Sequence, residues 1–291
     1  MATISTPSLS YRISPREEFY FAVKIFFAII FYYLLFVLVE KIFTIDNPKA
    51  AIIYKIYGVY ALLIVFYLIF RILFLVGYLR GNAIKVTQKQ FPDIYAIVVS
   101  QAERLGMSRV PEVYIYQSGG LLNAYVTRFF GTNYLVIYSD ILAAAYEQNM
   151  KVVEFIIGHE MGHIKRKHVI KRLLLLPAAL VPFLGPAYSR ACEYTCDSIG
   201  NALCPEGSHE GMLLLAGGKS LFKKINVPAY LDQIYSEEGF TTWLAERFAS
   251  HPNLTKRIAA FNNEGFHYQA APAPVVEKKT TEDDYTKYMP Q

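Results

Sequence analysis

The 291-residue chain is long enough for one substantial domain with appendages. Its 54% hydrophobic and 18% charged content is more apolar than a soluble domain of ordinary composition. The balance of 29 Lys+Arg against 24 Asp+Glu, net +5, is mild, and no basic–aromatic interleaving points to nucleic acid. Cys192, Cys196 and Cys204 are an odd, clustered set. They build no disulfide framework and point to a reducing compartment.

In chain order, residues 1–16 are polar and aperiodic and read as an N-terminal tail. Residues 17–80 read as a transmembrane hairpin. Phe19–Val39 and Ile56–Leu79 each reach the roughly 20 apolar residues needed to cross a bilayer, with Lys24 and Arg71 as the charged interruptions. Lys24 lies near the end of its span, where its side chain can snorkel to the interface. Tyr20, Tyr54 and Tyr78 suit interfacial positions. Two buried core helices are the alternative, but neither stretch has a polar face. Two crossings place both flanks on one side of the membrane. The excess of Arg12, Arg16, Lys24, Arg80, Lys85 and Lys89 over Lys41 and Lys49 favours the cytoplasm.

Residues 81–267 read as the catalytic domain. Phe91–Gly106 has helical periodicity. Val113–Tyr116, Ala124–Val126 and Tyr134–Tyr138 read as short strands, the last two flanking the turn signal Gly131-Thr132-Asn133. A small antiparallel sheet is expected there, followed by a helix capped at Ser139-Asp140. The overall class is α+β, mostly helical.

Phe155–His163 holds the pattern H-E-x-x-H. Residues four apart share a helix face, so His159 and His163 can grip one Zn²⁺ with Glu160 beside them as general base. Such an ion makes a bound water acidic near neutrality. Val152, Ile156, His159 and His163 follow one inward stripe at helical spacing. By the same phase His168 points to the opposite side, within the solvated run Lys165–His168, and is not read as a ligand.

A catalytic zinc takes a third protein ligand and keeps one position open. Glu193 is the best candidate. Asp197, four residues on, can accept the spare N–H of a ligating histidine, His159 first, and fix its tautomer. A Cys192/Cys196 thiolate pair is the weaker option. Leu173–Tyr188 is apolar but does not cross the membrane. Only 29 residues separate His163 from Glu193, whereas two crossings need about 40. A bent helical excursion fits. Beyond Cys204 come three or four short helices to about Phe261, and residues 268–291 read as a disordered C-terminal tail.

Arg190, Glu193 and Asp197 occupy the named positions of R-x-x-E-x-x-A-D, with Cys196 at the alanine. With the H-E-x-x-H pattern, this resembles the HtpX and CaaX-prenyl-protease family of membrane gluzincins, over roughly residues 80–265. The resemblance implies that Asn123-Ala124 opens an edge strand that pairs with extended substrate backbone. It also implies that His251, before Pro252, and Arg257 stabilise the tetrahedral intermediate, or that His251 gates the zinc at rest. The family's additional membrane spans are absent from this reading, so prenyl-substrate processing is not carried over.

The expectation is therefore a membrane-anchored zinc endopeptidase with one Zn²⁺ per chain, acting on membrane-associated polypeptides in quality control. The alternative is a membrane-tethered adaptor or holdase with a structural zinc closed by His251. A self-inhibited protease, its cleft covered by Leu173–Tyr188 or by the tail, is a third form.

Overall fold

The computed structural model describes residues 9–117 and 119–263. The expected C-terminal tail, 268–291, lies outside the described residues. Two long helices open the chain, α1 (Pro15–Thr44) and α2 (Pro48–Asn82). Proline stands in the first turn of each, where its missing N–H costs nothing. Asn47 caps α2 by accepting from the Lys49 and Ala50 amides at 3.0 and 3.3 Å. The apolar windows of Pro15–Lys41 and Pro48–Asn82 are only 11% and 6% buried. So much exposed hydrocarbon on two helices of spanning length is the surface a bilayer covers. At 35 residues α2 is about 52 Å long and outruns a ~30 Å hydrocarbon core. Its last turns leave the span and dock on the sheet, where Val76 packs with Tyr114 and Tyr134 and Arg80 donates to the Tyr134 hydroxyl at 2.8 Å.

The sheet contains β1 (Ile84–Lys85), β2 (Glu112–Tyr116), β3 (Ala124–Phe129) and β4 (Thr132–Tyr138), in the order β1-β2-β4-β3. The β3–β4 pair is antiparallel as expected. β1, a short strand the sequence did not announce, pairs antiparallel with β2, and β2 and β4 run parallel, so the sheet is mixed rather than antiparallel throughout. Leu135, Val136 and Ile137 are all fully buried. A continuous apolar run suits a central strand covered on both faces. β4 takes that place and β3 is left on the edge. The β3–β4 turn sits on Phe130 and Gly131, both at positive φ (44° and 81°), one residue before the expected signal.

The remaining helices are α3 (Pro92–Arg104), α4 (Ser139–Gln148), α5 (Met150–Lys165), α6 (His168–Leu174), α7 (Leu184–Leu203), α8 (Pro205–Leu221), α9 (Val227–Ser236), α10 (Phe240–Phe248) and α11 (Leu254–Asn263). Helix α5 is the core, buried without interruption from Phe155 to Ile164. Gly158 and Gly162 on α5 meet Gly200 and Cys196 on α7. A Cβ on Gly158 would lie 3.1 Å from the Gly200 Cα, and one on Gly200 would lie 3.0 Å from the His159 nitrogen. Only glycine permits backbones this close.

Between α6 and α7, a 3₁₀ turn (Leu176–Leu180) completes the bent excursion expected for Leu173–Tyr188. It packs on α1 through Leu175, Ala178 and Ala28, with Leu173, Leu174 and Leu180 outward. Two expectations fail along α1. Lys24 does not snorkel: it is 4% exposed, with its ammonium 5.0 Å from the centre of the Tyr188 ring. Residues 9–14 are not free of the domain. The Arg12 and Ser14 amides donate to the Ser198 and Thr195 hydroxyls of α7 at 2.9 and 3.0 Å. In both cases α7 is a neighbour that the local sequence does not reveal.

The α5–α7 contact predicts that Gly200→Val destabilises the protein by about 1–3 kcal/mol through overpacking, with earlier thermal unfolding in detergent. Gly81→Ala on α2, where an added Cβ meets nothing within 4 Å, is expected to leave the transition unchanged or raise it slightly.

Candidate metal centre and active site

Asn149 starts α5 by accepting from the Lys151 amide at 3.0 Å, and the helical phase then turns His159 and His163 toward α7. The glycine contacts bring Glu193 and Asp197 directly opposite. Nε2 of His159 lies 3.3 Å from Oε2 of Glu193, and Nε2 of His163 lies 3.5 Å from Oε1. Donor atoms of His159, His163 and Glu193 fall within 4.8 Å of one another. A tetrahedral centre with bonds of about 2.0–2.1 Å needs donors about 3.3–3.5 Å apart. The trio therefore fits a small divalent ion.

Asp197 stands behind the first histidine, its Oδ1 2.8 Å from His159 Nδ1. Arg257 holds Asp197 with two parallel bonds, Nε to Oδ2 at 2.8 Å and Nη2 to Oδ1 at 2.6 Å. All of these groups are buried. Burial disfavours a charged Asp197, but the Arg257 guanidinium outweighs it and lowers the carboxyl pKa. Burial also opposes protonation of His159, yet Asp197 and Glu193 overcome it and raise that pKa. The carboxylates thus draw positive charge to the position a cation would take. For His163 desolvation wins and its pKa falls well below the ordinary imidazole value, which favours the neutral ring a ligand must be.

Glu160 faces a cleft of about 90 Å³, also lined by Asn123, Ala124, His159, Glu193, His251 and Arg257. Burial pushes its pKa up to about 7, the range in which a carboxyl both takes and returns a proton near neutral pH. Asn123 and Ala124 mark the start of the edge strand β3, and the Tyr138 amide donates to the Asn123 carbonyl at 3.0 Å. His251 stands at the rim in the α10–α11 connection with 64% of its side chain exposed, Nε2 3.7 Å from Glu193 Oε1. Arg190 reaches the carbonyls of Glu246, Arg247 and Ala249. It ties α7 to the end of α10 just before His251. A wider groove of about 580 Å³ between α9, α10 and α11 is lined by Glu237, Glu238 and Glu246 but by no histidine among the described residues.

A model of peptidase family M48 matches residues 88–182 and 173–264. The chain belongs to peptidase family M48. The CAAX prenyl protease 1 homolog of Dictyostelium discoideum is 35% identical over 65 residues, covering 22% of this chain and 15% of that protein. The chain thus matches only a small part of that relative's length. The crystal structure of S. mikatae Ste24p aligns at 14% identity with a TM-score of 0.46, over 86% of this chain and 67% of that one. The M48 match contains every site residue named so far.

One expectation at the site is corrected. His168 is fully buried rather than solvated, with Nδ1 3.0 Å from Nδ1 of His163 and Nε2 3.1 Å from Oε1 of Glu17. Helix α5 stops at Lys165, Lys167 adopts a left-handed conformation (φ 58°), and α6 restarts at His168. Extrapolating the α5 phase across that break puts His168 on the wrong side. Glu17 had no signal beyond being one of two adjacent acids, Glu17 and Glu18, at the head of an apolar run. The cysteines are free and buried. Burial pushes the Cys192 thiol up to about 12 and Cys196 well above its usual value, which disfavours the thiolate form of both.

Removing one member of the Asp197–Arg257 pair leaves a buried charge alone. Arg257→Ala is expected to cost about 3–5 kcal/mol, measured by thermal or denaturant unfolding, with much of it recovered when Asp197→Asn is added. An unchanged transition in the single variant would show that the pair is not formed in solution.

Proposed function

We propose that this M48 protein is a membrane-anchored zinc endopeptidase that cleaves polypeptides close to the bilayer. The observation that carries the reading is the convergence of His159, His163 and Glu193 at tetrahedral spacing beside a buried Glu160. His159, His163 and Glu193 would hold the Zn²⁺, which would supply Lewis acidity to a water and to the scissile carbonyl. Glu160 takes a proton from the attacking water on its carboxylate and later delivers it to the departing amine. Asp197, fixed by Arg257, keeps the proton of His159 on Nδ1 and so leaves Nε2 bare.

The exposed His251 swings from the rim to donate to the developing oxyanion, a role in which one donor is worth about 3–4 kcal/mol. Arg257 adds its charge from the cleft wall, two of its nitrogens being held by Asp197. Asn123 and Ala124, opening the edge strand, receive extended substrate backbone by strand addition. The cleft is small, about 90 Å³, so the chain to be cut lies along β3 rather than inside a chamber. That favours flexible or unfolded segments as substrates. With the hairpin's basic flanks on one side, the catalytic domain faces the cytoplasm, and damaged membrane proteins in quality control are the substrates this setting favours.

The exposure of His251 speaks against a closed four-ligand structural site. Glu160→Gln, which leaves the donor trio intact, is expected to lower cleavage of casein or a membrane substrate by about 10²–10⁴-fold with metal content unchanged. Full activity in that variant would contradict the proteolytic mechanism. Chelation is expected to stop cleavage and added Zn²⁺ to restore it.

A further inference from the structure

His159 and His163 are supported in two different ways. Asp197 faces Nδ1 of His159 directly. Nδ1 of His163 instead meets another imidazole, His168, at 3.0 Å, and the far nitrogen of His168 meets Glu17 at 3.1 Å. Glu17 belongs to α1, the first membrane helix, and is 0% exposed. Arg166 approaches the same Oε1 through Nε and Nη2 at 3.1 and 2.9 Å, and the Lys171 ammonium lies 3.8 Å away.

With His168 as a neutral ring the donor and acceptor roles along this chain follow, the Cys196 Sγ lying farther from the His168 Nδ1, at 3.7 Å. A carboxylate between two cations only accepts, so Nε2 of His168 carries its proton and donates to Glu17. Nδ1 of His168 is then the bare nitrogen and accepts from Nδ1 of His163. That leaves Nε2 of His163, the nitrogen facing Glu193, without a proton. Each histidine therefore has an arginine-held carboxylate behind it, Asp197 with Arg257 in one case and Glu17 with Arg166 in the other. Donor atoms of Glu17, His168 and Cys192 also lie close together. The surrounding cations and the protonated thiol make that group a poor second metal site.

We propose that Glu17 is a positioning residue that orients His163 through His168, so that the membrane hairpin completes the metal centre. The inference rests on His163 being a metal ligand, as in the proposed function. Its consequence is that the catalytic domain is not independent of its anchor. A helix whose outer surface faces lipid holds one of the two histidine rings in register.

The test uses the full-length protein in detergent, with metal affinity read by competition against a chromogenic chelator. Glu17→Gln is expected to weaken Zn²⁺ binding by about 10–100-fold, the usual effect of losing an outer-shell partner. His168→Gln is expected to weaken it similarly, with no further loss in the double variant, because both act on one ring. Glu17→Gln is also expected to shift the visible absorption of the Co²⁺-loaded protein, which a purely structural role would not do. Asp197→Asn, acting on the other ring, is expected to add to Glu17→Gln. Should Glu17→Gln fail to fold, Glu17→Asp, which keeps the charge but shortens its reach to His168, is read by the same affinity and Co²⁺ spectrum and decides the matter. Unchanged affinity and spectrum in the folded variants, while His163→Ala abolishes binding, would overturn the role of Glu17 and leave the metal centre standing. Undiminished binding in His163→Ala would instead remove the metal centre itself.

Discussion

The close contact of α5 and α7 is the constraint on which the site depends. Glycines at 158, 162 and 200 let two buried helices approach until backbone touches backbone. That approach puts Glu193 and Asp197 opposite His159 and His163. Neither helix makes a site by itself: one offers two imidazoles and the other two carboxylates, all buried, where an unpaired charge is costly. The arrangement is satisfied by mutual pairing and by Arg257, and under the proposed function a divalent ion would complete it. The remaining elements serve the two helices. The sheet covers α5 and presents an edge to the cleft, while Arg190 fastens the end of α10 so that His251 reaches the rim.

The membrane hairpin is more than a tether. Along α1, Glu17, Phe21, Lys24 and Ala28 fall on one helical face and meet α7 and the excursion before it. Glu17 and Lys24 are charges in an apolar helix, and each has a protein partner. The other faces of α1, and nearly all of α2 before Val76, stay apolar and outward. One helix is thus shared between lipid and the catalytic domain.

Much of the centre was legible because it is written in helical phase. Two histidines four apart on an apolar stripe, and two acids four apart among small residues, fix facing directions without knowledge of the fold. The strands were legible for the same local reason, but their order was not. Period and turn residues locate β2, β3 and β4, whereas only the burial of β4 on both faces places it between the other two. His168 was misplaced because helical phase does not survive the left-handed residue at Lys167. Lys24 was read as a snorkelling residue, and Glu17 passed unread, because their partners lie more than 140 residues away in sequence. The pairing of Arg257 with Asp197 is likewise a long-range contact that no spacing announces.

Two imidazoles and one carboxylate around an ion with an open position are the centre of the account, and X-ray absorption at the zinc edge of the detergent-solubilised protein tests it most directly. The expected spectrum shows two histidine rings, light-atom ligands at about 2.0–2.2 Å and no sulfur, with one ion per chain. Sulfur at about 2.3 Å, or a third imidazole closing the site at rest, would contradict it.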